Sequence, residues 1–360
     1  MEKCGEFDQS QEENVHEIQS ASAQSSSSQD FTEIYVWGND FYGQLGVGAD
    51  RCIHRIPKIC SFNIVIRQVS CGEEHTCFVS THGGHVYAMG SNQDGKLGVA
   101  DKSIQSSNVP CLVDGLENIV KVSCGLGHSL ALNEEGSVFA WGQSFYGALG
   151  LGDICGESLY RPEQVSEVND YVIDIAAGSR HSLLLTQDQC FSCGDAKSGQ
   201  LGLSDAQLKQ QERVLFPTSI QALKNRPLKA VSCGKFHSLF LTEQGEVFAC
   251  GGNSFGQLGS GSKQMLREPQ KLEKLKHVKQ ISAWHFSAAV TESDQLFVWG
   301  TGIFGESLLP RLVESPNLAG VASIQVGGSF SVIVDSQNKA YAWGANTNGE
   351  LGTGDSQPRI

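Results

Sequence analysis

A Trp-Gly dipeptide, a short variable loop and then Gly-Gln-Leu-Gly form a phrase that recurs, intact or worn, along almost the whole chain. Its leading pair ends at Gly38, Gly90, Gly142, Gly194, Gly251, Gly300 and Gly344. Recurrence at intervals of about 50 residues signals stacked units, each of which must first bury its neighbour. That constraint dictates the fold class and leaves little room for a conventional catalytic pocket.

A second phrase lies between the Trp-Gly phrases. It reads Ser70-Cys71-Gly72-Glu73-Glu74-His75, with further copies ending at His128, His181 and His237 and worn copies at Ser282–Phe286 and Val326–Phe330. Each copy is followed by a short apolar run such as Ser129-Leu130-Ala131-Leu132, which is strand length and too short for a helix. Gly84, Gly136, Asp188, Gly245, Asp294 or Asn338 then fills a turn, and these residue types tolerate the positive φ of a tight hairpin. The next strand alternates regularly, as in Val138-Phe139-Ala140-Trp141-Gly142, so its aromatics share one face. The Gly-x-Leu-Gly element follows, with Leu45, Leu97, Leu149, Leu201, Leu258 and Leu351 as plugs under the loop. A last strand near Pro57, Pro110, Pro162, Pro217, Pro269 or Pro310 suits an outer edge, where no N–H is needed. Four antiparallel strands per unit, stacked radially, predict an all-β chain, a β-propeller.

The paired phrases resemble the repeat of the regulator of chromosome condensation family over residues 31–360. The resemblance implies seven blades of four antiparallel strands. Seven Trp-Gly halves face only six Cys-Gly-x-x-His halves, however, so one blade is expected to be incomplete. The chain opens on an outer half blade, Ile34 to about Cys60, and stops at Ile360 in the matching stretch of the last repeat. In the family a ring is closed by strands from both termini, and here the closing strands are missing at the C-terminus. Truncation is the favoured explanation, a second chain filling the gap the other. An exposed sheet edge there would invite self-association.

Composition narrows the remaining options. Residues 1–30 form an acidic, Ser-rich stretch with Lys3 as its only base, expected to be a disordered tail; residues 31–360 are the propeller. A net charge of −13 argues against nucleic-acid binding. No apolar stretch is long enough for membrane insertion, and no signal peptide is evident. The twelve cysteines fit a reducing compartment, so an intracellular and rather cytoplasmic than nuclear location is expected. Cys71, Cys124 and Cys233 share a repeat position with Ala177, Ala283 and Val326, which marks it as small and apolar. Cys190-x-x-Cys193 is likewise two core positions on one strand. No cofactor and no metal are expected: the four repeat histidines lie on separate blades, too far apart for one ion.

The resemblance also supplies a candidate surface. In founding members the x-x-His loops line the face that grips the small GTPase Ran. Carried over by position, that face comprises Glu73, Glu74, His75, Leu126, His128, Ser179, Arg180, His181, Lys235, Phe236, His237, Trp284, Phe286 and Phe330. Each histidine is expected either to fix its own blade's loop or to meet the partner. The acidic residues that precede the histidine in Ran exchange factors survive only at Glu74, and no long wedge hairpin is present. Trp284, Phe286 and Phe330 form an aromatic cluster suited to anchoring an interface. Four of the five tryptophans occupy the packing position, which speaks against the photoreception of the family's ultraviolet-sensing plant member. Phosphate loops, nucleophile elbows and zinc-protease helices are absent, so no covalent chemistry is expected. The readings are a non-catalytic protein-binding propeller, a guanine-nucleotide exchange factor for a small GTPase, or the substrate-recruiting module of a ubiquitin ligase.

Overall fold

The computed structural model describes residues 32–48, 50–152, 158–314 and 319–360; the acidic stretch read as a tail lies outside them. Strands β1 (Ile34–Asn39) and β2 (Ile53–Cys60) pair by themselves. Blade 1 comprises β3 (Ile66–Cys71), β4 (His75–Ser80), β5 (Val86–Ser91) and β6 (Ser106–Leu112). Blade 2 has β7 (Ile119–Cys124), β8 (His128–Asn133), β9 (Val138–Gly142) and β10 (Leu159–Gln164), and blade 3 has β11 (Val172–Ala177), β12 (His181–Thr186), β13 (Cys190–Asp195) and β14 (Arg213–Ser219). Blade 4 runs through β15 (Leu228–Cys233), β16 (His237–Thr242), β17 (Val247–Gly251) and β18 (Leu266–Lys271), and blade 5 through β19 (Val278–Ala283), β20 (Ser287–Thr291), β21 (Leu296–Gly302) and β22 (Gly305–Leu312). Blade 6 holds β23 (Val321–Val326), β24 (Phe330–Asp335) and β25 (Ala340–Gly344). The architecture is thus a β-propeller of antiparallel blades: five with four strands, one with three, and a two-stranded partial seventh.

Local chemistry accounts for each unit. The third strand shifts register at the glycine of the Trp-Gly phrase, as between Ala88 and Gly90 in blade 1. Gly90 has φ +107°, and a Cβ there would stand 2.4 Å from the Glu74 carbonyl oxygen, so only glycine fits the bend. Blade 3 also carries a short helix, Asp205–Leu208, with a reciprocal capping box between Ser204 and Gln207. In blade 5 the Gly-x-Leu-Gly loop is replaced by a tight hairpin, Gly302 pairing directly with Gly305.

The core is a series of seams between blades. One seam packs Cys77, Val79 and Leu97 of blade 1 against Ile119, Val122 and Trp141 of blade 2. Others join blades 2 and 3, 3 and 4, 4 and 5, and 5 and 6. Each apolar strand therefore serves two seams, odd residues facing one neighbour and even residues the other.

The ring closes through the partial blade. Trp141 Nε1–H donates to the Lys96 carbonyl across the seam between blades 1 and 2 at 3.0 Å; Trp37 Nε1–H repeats this bond to the Glu350 carbonyl at 2.7 Å. The Gly354 N–H donates to the Arg55 carbonyl, and the ring of Phe62, just past β2, stacks on Phe78 of blade 1. Gly344 and Arg359 exchange backbone hydrogen bonds, starting a fourth strand on blade 6. The expected opening is therefore confined to the inner half of the partial blade, because its outer pair alone bridges the neighbours. The consequence is a notch: Val69 is 45% exposed where its blade 2 counterpart Val122 is 1% exposed, and Cys71 is exposed where Cys124 and Cys233 are buried. Among the described residues β1 keeps one edge unpaired.

Candidate partner-binding face

Antiparallel strands bring the loop between strands one and two, and that between strands three and four, to the same end of every blade. The x-x-His loops and the loops after the Trp-Gly phrase thus form one face. The histidines, however, sit beneath it. His75, His128, His181 and His237 are buried, and each Nε2 meets a serine hydroxyl on the next blade: Ser129 at 2.9 Å, Ser182 at 2.9 Å, Ser238 at 3.0 Å and Ser287 at 2.8 Å. Each serine in turn donates its only hydrogen to a carbonyl, from Lys96, Ala148, Gln200 and Gln257 respectively. With that hydrogen spent, Nε2–H must be the donor. Burial first, with neighbouring histidines adding to it, holds His128, His181 and His237 down at about 3.

This corrects the expected surface. His75, His128, Ser179, His181, His237 and Phe286 are buried in the blade stack, and each histidine ties its blade to the next rather than fixing only its own loop. Phe286 stands where blades 1 to 4 carry histidine and packs edge-to-face on Phe304, with ring centroids 5.3 Å apart. Glu73, Glu74, Leu126, Arg180, Lys235, Phe236, Trp284 and Phe330 do reach solvent in part or whole. Glu74 is bound to Lys96 at 3.1 Å, so the one acidic residue at the position before a histidine is already neutralised by a buried lysine. Lys235 donates its N–H to the Trp284 carbonyl at 2.8 Å, which links the loops of blades 4 and 5.

Sequence reasoning missed the loop tips. Phe41, Phe145 and Phe255, in the variable stretch after the Trp-Gly phrase, are 51%, 56% and 59% exposed. They stand on the same face as Phe236 and Trp284. The Arg180 guanidinium lies 4.1 Å from the Tyr146 ring centroid, and Arg213 lies 5.5 Å from that of Phe145 while donating to its carbonyl. Such stacking fixes the aromatics in place before anything binds. The available signal was an aromatic recurring at a loop position with no core to fill.

These features define a propeller with one loop face that carries aromatics at its tips over a layer of buried, hydrogen-bonded histidines. The RCC1-like domain family matches residues 33–360, and the chain belongs to it. The ultraviolet-B receptor UVR8 of Arabidopsis thaliana is 31% identical, covering 91% of this chain and 76% of that protein. The regulator of chromosome condensation of Xenopus laevis is 30% identical, covering 90% and 82%. Human E3 ubiquitin-protein ligase HERC2 is 30% identical over 89% of this chain, which spans 7% of the ligase. Among solved structures, human WBSCR16 superposes with a TM-score of 0.84 at 25% identity, covering 91% and 93%. Prp20p from Saccharomyces cerevisiae, described with its binding to Gsp1p and histones, gives 0.79 at 22% identity, covering 92% and 85%, a likeness of fold. No helix among the described residues is long and apolar enough to cross a membrane.

Proposed function

We propose that this chain is a non-catalytic binding propeller that presents its loop face to a protein partner, the two-stranded sheet counting as its seventh blade. The observation that carries this reading is the exposure of Phe145 and Phe255 beside the partly exposed Phe236 and Trp284 on one end, while the histidines below them are consumed in internal bonds. Exposed aromatics on a rigid base are what interface anchors require, because they desolvate a large area at little cost in entropy. Arg180, Lys235 and Glu73 supply polar groups around them. The relatives include a receptor, a chromosome-condensation regulator and a ligase, which agrees with one fold serving several partners.

Exchange on a small GTPase is the second reading, supported by the regulator of chromosome condensation among the relatives. It would proceed by differential binding of the nucleotide-free GTPase. The engagement of Glu74 by Lys96 counts against it, since a committed carboxylate is a poor lever on a second protein. Recruitment of substrate to a ubiquitin ligase is a third reading, supported by the match within HERC2. Affinity capture from lysate, comparing wild type with a Phe145→Ala, Phe236→Ala, Trp284→Ala variant, tests the face. Loss of at least tenfold in a specific partner, with an unchanged melting temperature, is expected; retention of every partner sinks the assignment. Nucleotide-release rates across a GTPase panel then separate binding from exchange, and no acceleration at micromolar protein is expected.

A further inference from the structure

Among the described residues, the seam between blades 1 and 2 gathers thiols from both of its faces within 4.8 Å of a repeat histidine. His75 and Cys77, two residues apart on β4, both face blade 2, and Cys124 at the end of β7 faces them from blade 2. A ring nitrogen of His75 and the two sulfurs all lie within 4.8 Å of one another, and all three side chains are buried. Nδ1 of His75 has no hydrogen-bond partner. That alone singles out nothing, since Nδ1 of His181 and His237 is equally without one. What differs is Cys77: in the other histidine-bearing blades the corresponding residues are Leu130, Leu183 and Leu239, which offer no ligand atom.

We propose that His75, Cys77 and Cys124 bind a thiophilic divalent d10 cation, zinc(II), which bridges blades 1 and 2. Two thiolates and a neutral imidazole around a divalent ion form a neutral set, which is what a dry core tolerates. With metal–ligand lengths of about 2.0–2.3 Å, the corners of a zinc tetrahedron lie about 3.3–3.8 Å apart. With Nε2–H bonded to Ser129 at 2.9 Å, the unpartnered Nδ1 is the ring nitrogen that offers its lone pair. Donors within 4.8 Å reach such spacings by side-chain rotation of about 1 Å, with the strands held by their own ladders. The two thiols lose their protons to solvent as the ion enters. This site is distinct from the loop face and does not depend on its partner.

The repeat itself supplies variants that keep the fold. Cys77→Leu recreates the pairing of Leu183 with Cys233, and Cys124→Ala places at that position the residue found at Ala177 and Ala283. Reduced full chain is titrated anaerobically with cobalt(II) as the optical probe and then with zinc(II) as competitor. A Cys52→Ser, Cys71→Ala, Cys111→Ser background, with Cys4→Ser and Cys155→Ser added, removes the described thiols that reach the surface outside the seam together with two further cysteines of the sequence. We expect one equivalent of cobalt with sulfur charge-transfer bands, displaced by one equivalent of zinc. Either seam variant should bind at least 100-fold more weakly while melting as a cooperative unit. Zinc should raise the melting temperature of the background protein and not that of the seam variants. Binding by Cys77→Leu equal to that of the background, or no charge-transfer bands in either, overturns the proposal.

Discussion

At the scale of single residues, the recurring unit of stability is a relay: a histidine donates to a serine on the next blade, and that serine donates to a carbonyl. Blade 6 shows the relay with both partners gone. Phe286 replaces the histidine, and the short hairpin at Gly302–Gly305 removes the carbonyl, so Ser331 Oγ is buried without a partner. Ser129→Ala should therefore cost about 1–3 kcal/mol, as expected for breaking a buried bond at both ends, whereas Ser331→Ala should be neutral or stabilising. Urea melts of the two variants measure the contrast. The histidines also impose a pH dependence. In the folded chain His128, His181 and His237 are held at about 3, below the value near 6.5 of an unfolded chain, so between these limits the unfolded state binds more protons. Their contribution is complete above pH 6.5 and is lost progressively as pH falls toward 3, at up to about 1.4 kcal/mol per histidine per pH unit. His237→Phe borrows the residue the worn repeats use. It should lower stability at pH 7 yet flatten the loss between pH 6 and pH 5 by roughly one third of the three-histidine effect; an unchanged slope would mean that the rings take up protons without unfolding.

Blades, at the scale of elements, were legible because each constraint repeats. Strand length, turn glycines, edge prolines and the buried leucines all follow from residues that recur in register. Relations between units were harder to read. That His181 would bond Ser238 rather than its own loop needs knowledge of which blade follows which at what offset, and that is a property of stacking. The exposed tips Phe145 and Phe255 were missed because they sit in the one stretch where the repeat varies, so their recurrence stood outside the core pattern. Burial within an equivalent position also varies with neighbours: Leu97 is fully buried, while Leu45 is only half-buried because its blade lacks an inner pair. Leu97→Ala should consequently cost about 3–4 kcal/mol and Leu45→Ala nearer 1 kcal/mol. Equal losses in chemical denaturation would mean that the notch collapses around Leu45 in solution.

The whole molecule depends on joining its first strands to its last. Counting half units foretold an incomplete blade, but not that two outer strands would suffice to bridge blades 6 and 1 at the rim. The bond from Trp37 to Glu350 spans nearly the whole chain and reproduces, at the closure, the contact that Trp141 makes within it. A closed ring transmits strain around its circumference, whereas an open one would let its end blades fray separately. Trp37→Ala removes both the bond and the ring that packs beside Gly352. Amide exchange should then quicken at least tenfold in β1 and β2 and also across 346–359, two segments far apart in sequence that share only this seam. Blade 3, on the far side of the ring, should exchange at its wild-type rate. If only β1 and β2 respond, the closure carries no load, and blade 6 is held by blade 5 alone.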